Sequence, residues 1–164
     1  MKISRIISRM SLAIGYACAP FYFVALLIAV REVIMRYFFN APSDWAFEVT
    51  LTLCAIAWVF SVGYVGQQNR HIAITFVRDF SPAPRQRWLD VVTLTLTLIA
   101  FIALAYATFG PGLHALKSVE RTGSAFNPPM PAILKPALFL GACLGALQSL
   151  ANLIDTLRKD ETRK

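Results

Sequence analysis

The sequence predicts an all-α integral membrane protein: four transmembrane helices with both the N- and the C-terminus in the cytoplasm. Three observations predict it. The first is composition: 57% of the 164 residues are hydrophobic and 15% are charged, where a soluble domain carries roughly 25% charge. The second is blockiness. Met10–Val30, Val49–Asn69, Val91–Leu113 and Pro136–Ile154 carry no charge, and each is about the 20 residues that a bilayer core requires. Lipid offers a backbone no hydrogen bonds, so runs of that length close their own as helices. The third is the placement of basic residues. With the N-terminus inside, eleven lysines and arginines fall in inner segments (Lys2, Arg5, Arg9, Arg70, Arg78, Arg85, Arg87, Arg158, Lys159, Arg163, Lys164). Five fall in outer ones (Arg31, Arg36, Lys117, Arg121, Lys135), the asymmetry of the positive-inside rule. The same rule absorbs the net charge of +7, so nucleic acid is not expected as a partner; the bilayer and its anionic headgroups are.

The expected organisation is a single membrane domain over residues 1–164, with spans at about 10–35, 45–67, 88–110 and 132–155 and an inner interfacial connector at 70–84. Span one starts after a basic stretch and includes Ala17-Cys18-Ala19, which resembles a signal cleavage site. Pro20 would follow the cut and the apolar run continues, so the segment reads as an uncleaved span. Pro20 should kink it by freeing the carbonyl of Tyr16. Glu32 and Arg36, four apart in the favourable order, extend the helix beyond the hydrocarbon. Pro42 stops it. Ser43 or Asp44 can then cap span two, and Glu48 suits the positive end of its dipole.

The connector after span two repeats Ile72, Phe76 and Phe80 at four-residue intervals, as a helix lying in the interface would, although Ile72, Ile74 and Phe76 also alternate as in a strand. Ser81-Pro82-Ala83-Pro84 breaks it, and Trp88 anchors span three at the headgroups. Span three is rich in threonine and β-branched residues; its length in lipid favours a helix. Gly110-Pro111-Gly112 should kink or end it. A loop dense in turn residues, "RTGSAFNPPMP", leads to span four.

The interior excludes several chemistries. No acid or base sits in the middle of a span, where carriers of protons or sodium hold theirs. His71 and His114 lie at opposite membrane faces, roughly 30 Å apart, too far for one haem iron. Cys18, Cys54 and Cys143 fall inside spans with no metal spacing and read as buried apolar-like thiols. Gly123-Ser124 lacks the second glycine of a nucleophile elbow. An enzyme is not expected, and neither a cofactor nor a metal is expected in this chain.

Packing features remain. Ala137, Gly141, Gly145 and Ser149 recur every four residues, giving span four a small face with a GxxxG motif that lets another backbone approach closely. A partner helix and a neighbouring span of the same chain would use that face equally well. Gln148 and Asn152, one turn apart, can hydrogen-bond across helices, and Gly63 and Gly66 can admit a neighbour. At the outer end Arg36, Trp45 and Glu48 read singly as ordinary interfacial residues and jointly as a compact polar cluster.

Residues 36–48, "RYFFNAPSDWAFE", followed by Trp58 and "GYVGQQNRHIAI", closely resemble the small membrane subunit of tripartite ATP-independent periplasmic (TRAP) transporters. The matching positions are Arg36, Tyr37, Asn40, Trp45, Glu48, Trp58, Gly63, Arg70, His71 and Ile72, within residues 30–80. The acid that often follows His-Ile in the family is absent here. The resemblance implies an accessory permease subunit. Its partners would be a large multi-span subunit that carries an organic acid and sodium, and a periplasmic binding protein that delivers the solute. It also implies residence in the bacterial inner membrane. Arg36, Tyr37, Asn40, Trp45, Glu48, Trp58, Arg70 and His71 are then the candidate interface residues, joined by Gly141 and Gly145 from the small face of span four. The alternative from another class is a small stand-alone carrier or membrane anchor acting as a homo-oligomer.

Overall fold

The computed structural model describes residues 2–67 and 83–161, and the described chain forms four helices: α1 (Lys2–Phe38), α2 (Ala46–Gln67), α3 (Ala83–Ser118) and α4 (Met130–Glu161). All four are long and apolar enough to cross a membrane. The connector at 70–84 lies outside the described residues except for its end: Ala83 and Pro84 open α3, where a proline costs no intrahelical bond.

Local chemistry explains why span three is helical despite its threonines. The hydroxyls of Thr95, Thr97 and Thr108 donate to the carbonyls of Val91, Thr93 and Leu104 at 2.8, 2.8 and 2.7 Å. Each hydroxyl is satisfied by the turn beneath it, so none needs water. Of the two outcomes expected of Gly110-Pro111-Gly112, a kink or an end, the end does not occur there: α3 runs on through Pro111 to Ser118. The last turns are held from outside: Gly112 is buried against α4, where an added Cβ would stand 3.5 Å from the Lys135 carbonyl oxygen. Pro20 likewise lies within an unbroken α1.

Among the described residues the buried apolar core consists of eight alanines and Cys18, while large side chains such as Phe23, Leu27, Ile102 and Leu147 are exposed. A soluble protein would invert this. In lipid, tails are as apolar as leucine, so nothing drives leucine inward, and small residues win the contacts because they let helices approach.

α4 is the axis of the assembly. It packs most extensively against α3, then against α2 and α1, and α1 packs along α2. Among the described residues α3 touches neither α1 nor α2. The first turns of α1 meet the later turns of α4, so the start of α1 and the end of α4 share one end of the molecule, the termini end. The α1–α2 turn and the α3–α4 loop meet at the other, the loop end.

Candidate functional site

At the loop end α1 closes after Phe38 with Asn40 in the left-handed region, at φ 50°. Asparagine tolerates that conformation better than most residues. The Ala41 N–H returns to the Met35 carbonyl at 3.0 Å. This hairpin brings Ser43 back beside Glu32. One carboxylate oxygen of Glu32 accepts the Ser43 N–H at 3.1 Å, and the other accepts the Ser43 hydroxyl. Arg36 stands 3.4 Å and Arg31 3.8 Å from the same carboxylate. The Arg31 guanidinium also lies over the Trp45 ring, 5.0 Å from its centroid. Glu32 is therefore the hub that ties α1 to the turn.

Two expectations change here. Ser43 does not cap α2: its hydroxyl serves Glu32, and the helix begins at Ala46 with the Val49 N–H bonded to the Trp45 carbonyl at 3.0 Å. Arg36, Trp45 and Glu48 line one rim, but each engages a different partner. Arg36 takes Glu32 and Trp45 takes Arg31, while Glu48 accepts a hydrogen bond from Thr122 at 3.4 Å. The reason is distance along the chain. The tight turn places Ser43, not Glu48, against the last turns of α1, and Glu48 faces the loop between α3 and α4.

That loop, 119–129, is a self-bonded unit. Val119 adopts φ 47° and Asn127 φ 51°. The Glu120 N–H closes the end of α3 onto the Ala115 carbonyl at 3.2 Å, the bond of a Schellman cap. The Asn127 side chain accepts the Gly123 N–H at 3.0 Å, its N–H donates to the Ser124 hydroxyl at 3.0 Å, and its carbonyl accepts from Arg121 at 2.9 Å. Glu120 pairs with Lys135 of α4, and His114 is 3.9 Å from the same carboxyl group. Ser124 is thus a turn residue.

At the termini end a second polar tie joins three helices. The Ser11 hydroxyl donates to the Gln148 side chain at 2.8 Å; Gln148 donates to Asn152 at 3.0 Å; Asn152 donates to the Gly66 carbonyl at 2.7 Å. Gln148 is 1% exposed. The pairing across helices foreseen for Gln148 and Asn152 is present, with Gly66 as acceptor. Its partners on α1, Ser8 and Ser11, escaped sequence reading, although two serines three apart at the start of span one share one helix face. Glu32 as hub and Thr122 as Glu48's donor also escaped it, because both depend on a turn's path.

The small face of α4 meets helices of this chain. A Cβ on Gly141 would stand 2.9 Å from the Val59 carbonyl oxygen of α2, and one on Gly145 would stand 2.7 Å from the Phe101 ring of α3. Gly63 faces Ser11 across α1, at 3.1 Å by the same measure. Tyr37 and Trp58 are exposed. Arg70 and His71 lie outside the described residues.

The arrangement offers struts rather than reactive groups: polar ties at both ends, small-residue contacts between them, and exposed apolar and aromatic flanks. A family model described as "Tripartite ATP-independent periplasmic transporters, DctQ component" matches residues 25–159, from the middle of α1 to the last turn of α4. No curated protein matches the chain.

Proposed function

The chain belongs to the family of the small membrane subunit, the DctQ component, of tripartite ATP-independent periplasmic transporters, and from that premise we propose that it is the fixed scaffold of a sodium-coupled uptake system for an organic acid. In this reading a large multi-span subunit carries solute and sodium, and a periplasmic binding protein delivers the solute. The small subunit extends the frame against which the large one moves. It sits in the bacterial inner membrane as one four-helix domain with both termini in the cytoplasm, an orientation supported by eleven inner against five outer basic residues.

The observation that carries the scaffold role is how the interior polar groups are used. Ser11, Gln148, Asn152 and the Gly66 carbonyl bond to one another. Groups spent on one another do not coordinate a passing ion. The loop end supports docking of the binding protein, because Glu32 and Glu48 hold the turn and the 119–129 loop as one rim.

Reconstitution tests this. Liposomes holding this chain and the large subunit, supplied with binding protein, should take up organic acid under a sodium gradient, and liposomes holding this chain alone should take up none. Sodium-driven uptake by the chain alone would overturn the scaffold reading and favour a stand-alone carrier.

A further inference from the structure

Contacts between helices fix which residues share a level along the bundle, and so how the charged edges of the spans line up. α1 carries no charge between Arg9 and Arg31, and α4 none between Lys135 and Asp155. These bands hold 21 and 19 residues, about 31 and 28 Å at 1.5 Å per residue. Each alone suits a hydrocarbon core of roughly 30 Å, but they are not level with each other. At the termini end Ser8 and Ser11, which flank Arg9, both hydrogen-bond to Gln148. Asp155 lies seven residues further along α4, about 10 Å beyond the level of Arg9. The edge of α3 follows α4: Phe109 meets Phe139 and Gly112 packs on Lys135, a register that brings Asp90 within a turn of Asp155.

At the loop end the shift has the same sign. Gly141 packs on Val59, and six residues back along these two parallel helices Lys135 stands level with Leu53. The first charge on α2, Glu48, is five residues further out, about 7.5 Å. Arg31, 5.0 Å over the Trp45 ring, puts the edge of α1 there too. The α1–α2 band is therefore displaced toward the loop end relative to the band of α3 and α4. In an upright bundle the two bands share only twelve residues of α4, from Lys135 to the level of Arg9, about 18 Å. Lys135 reaches outward to Glu120, which recovers part of one edge only. A bilayer pinched to fit is strained, whereas tilting a rigid bundle brings both bands into a core of ordinary thickness.

We propose that the chain lies obliquely in the bilayer, its long axis about 30° from the normal, with the α3 side raised toward the loop-end headgroups and the α1–α2 side lowered toward the termini-end headgroups. The angle follows from an offset of about 10 Å across the two interaxial distances of 8–10 Å that separate α1 from α3 through α4. Two further features agree with it. Val91–Leu113 of α3 has 23 residues, about 34 Å, longer than the core and matched to it at about 30°. Trp45 at the loop end of α2 and the exposed Trp88 at the termini end of α3 stand about 48 Å apart along the bundle. That exceeds the 40–45 Å of a whole bilayer with its headgroups, so an upright chain leaves at least one of them in water. Tilted, they come to about 33 Å apart along the normal, one in each headgroup layer, where tryptophan resides. The lipid-facing surface is then an oblique belt, bounded by Arg31, Trp45 and Lys135 on one side and by Arg9 and Trp88 on the other.

Spin labels on A19C and I102C test this in the full chain, reconstituted in phospholipid bilayers, with Cys18, Cys54 and Cys143 replaced by alanine. Ala19 and Ile102 are both exposed. Ala19 is level with Phe109, seven residues and about 10 Å from Ile102 along the bundle. Collision rates with oxygen and with a nickel chelate report the depth of each label. The two labels should lie at the same depth, near the bilayer centre. A label at 19 that sits about 10 Å nearer the loop-end headgroups than the one at 102 would show an upright molecule and overturn the proposal. As a second measurement, with the cysteines intact, W58F/W88F leaves Trp45 alone and W45F/W58F leaves Trp88 alone. Phospholipids brominated next to the headgroup should quench both variants. Loss of quenching in either would put that ring in water and sink the tilt.

Discussion

Glu32 and Arg36 show how unequal two members of one ion pair are. Arg36 is 59% exposed in its side chain and Glu32 14%. Arginine contributes one contact at 3.4 Å in a wet setting, where such pairs add little. The carboxylate also holds the N–H and hydroxyl of Ser43, and its removal orphans both. Glu32→Ala should therefore loosen the 39–45 turn far more than Arg36→Ala. Amide hydrogen exchange at Ser43 checks this: faster exchange is expected in the first variant and near-native exchange in the second. Equal effects would show that Arg36, not Ser43, is the partner that matters. Both residues are visible in the sequence as an i,i+4 pair, but the dominant partner is eleven residues away, across a turn whose path Asn40 sets.

Among the elements, α4 decides the packing, and its two buried glycines are not equivalent. At Gly141 a methyl group meets both the Val59 side chain and its backbone, the latter at 2.9 Å from the carbonyl oxygen; at Gly145 it meets only the Phe101 ring, at 2.7 Å. Backbone moves only if a helix moves, whereas a ring can turn. Gly141→Ala should destabilise the bundle by about 1–3 kcal/mol, the usual cost of overpacking, and Gly145→Ala by under about 1 kcal/mol. Thermal unfolding of the purified chain in detergent measures both, and the reverse order would refute the contact assignment. The four-residue spacing announced a small face from sequence alone. Which helix fills it depends on the crossing of α4 with α2 and α3, and no periodicity within α4 contains that.

For the whole molecule the consequence is asymmetry. α1, α2 and α4 contact one another and share the Ser11–Gln148–Asn152–Gly66 tie, whereas α3 rests on α4 alone among the described residues. A helix held by a single neighbour is released when that one interface opens. Hydrogen exchange in detergent should release the amides of α3 before those of α2 and α4, and simultaneous release would show a single cooperative unit. The sequence by itself determined the class, the four spans, the family resemblance and the polar types at each end. These rest on local quantities: a run's length against the bilayer, the charge on either side of it, a motif read residue by residue. Only the tertiary structure decided that Glu32 is the hub, that Glu48 joins a distant loop, that glycines on α4 serve two different neighbours, and that α3 continues through Pro111. Each of those is a contact between segments far apart in the chain, and its sign is set by where helices cross in space rather than by the residue types that make it.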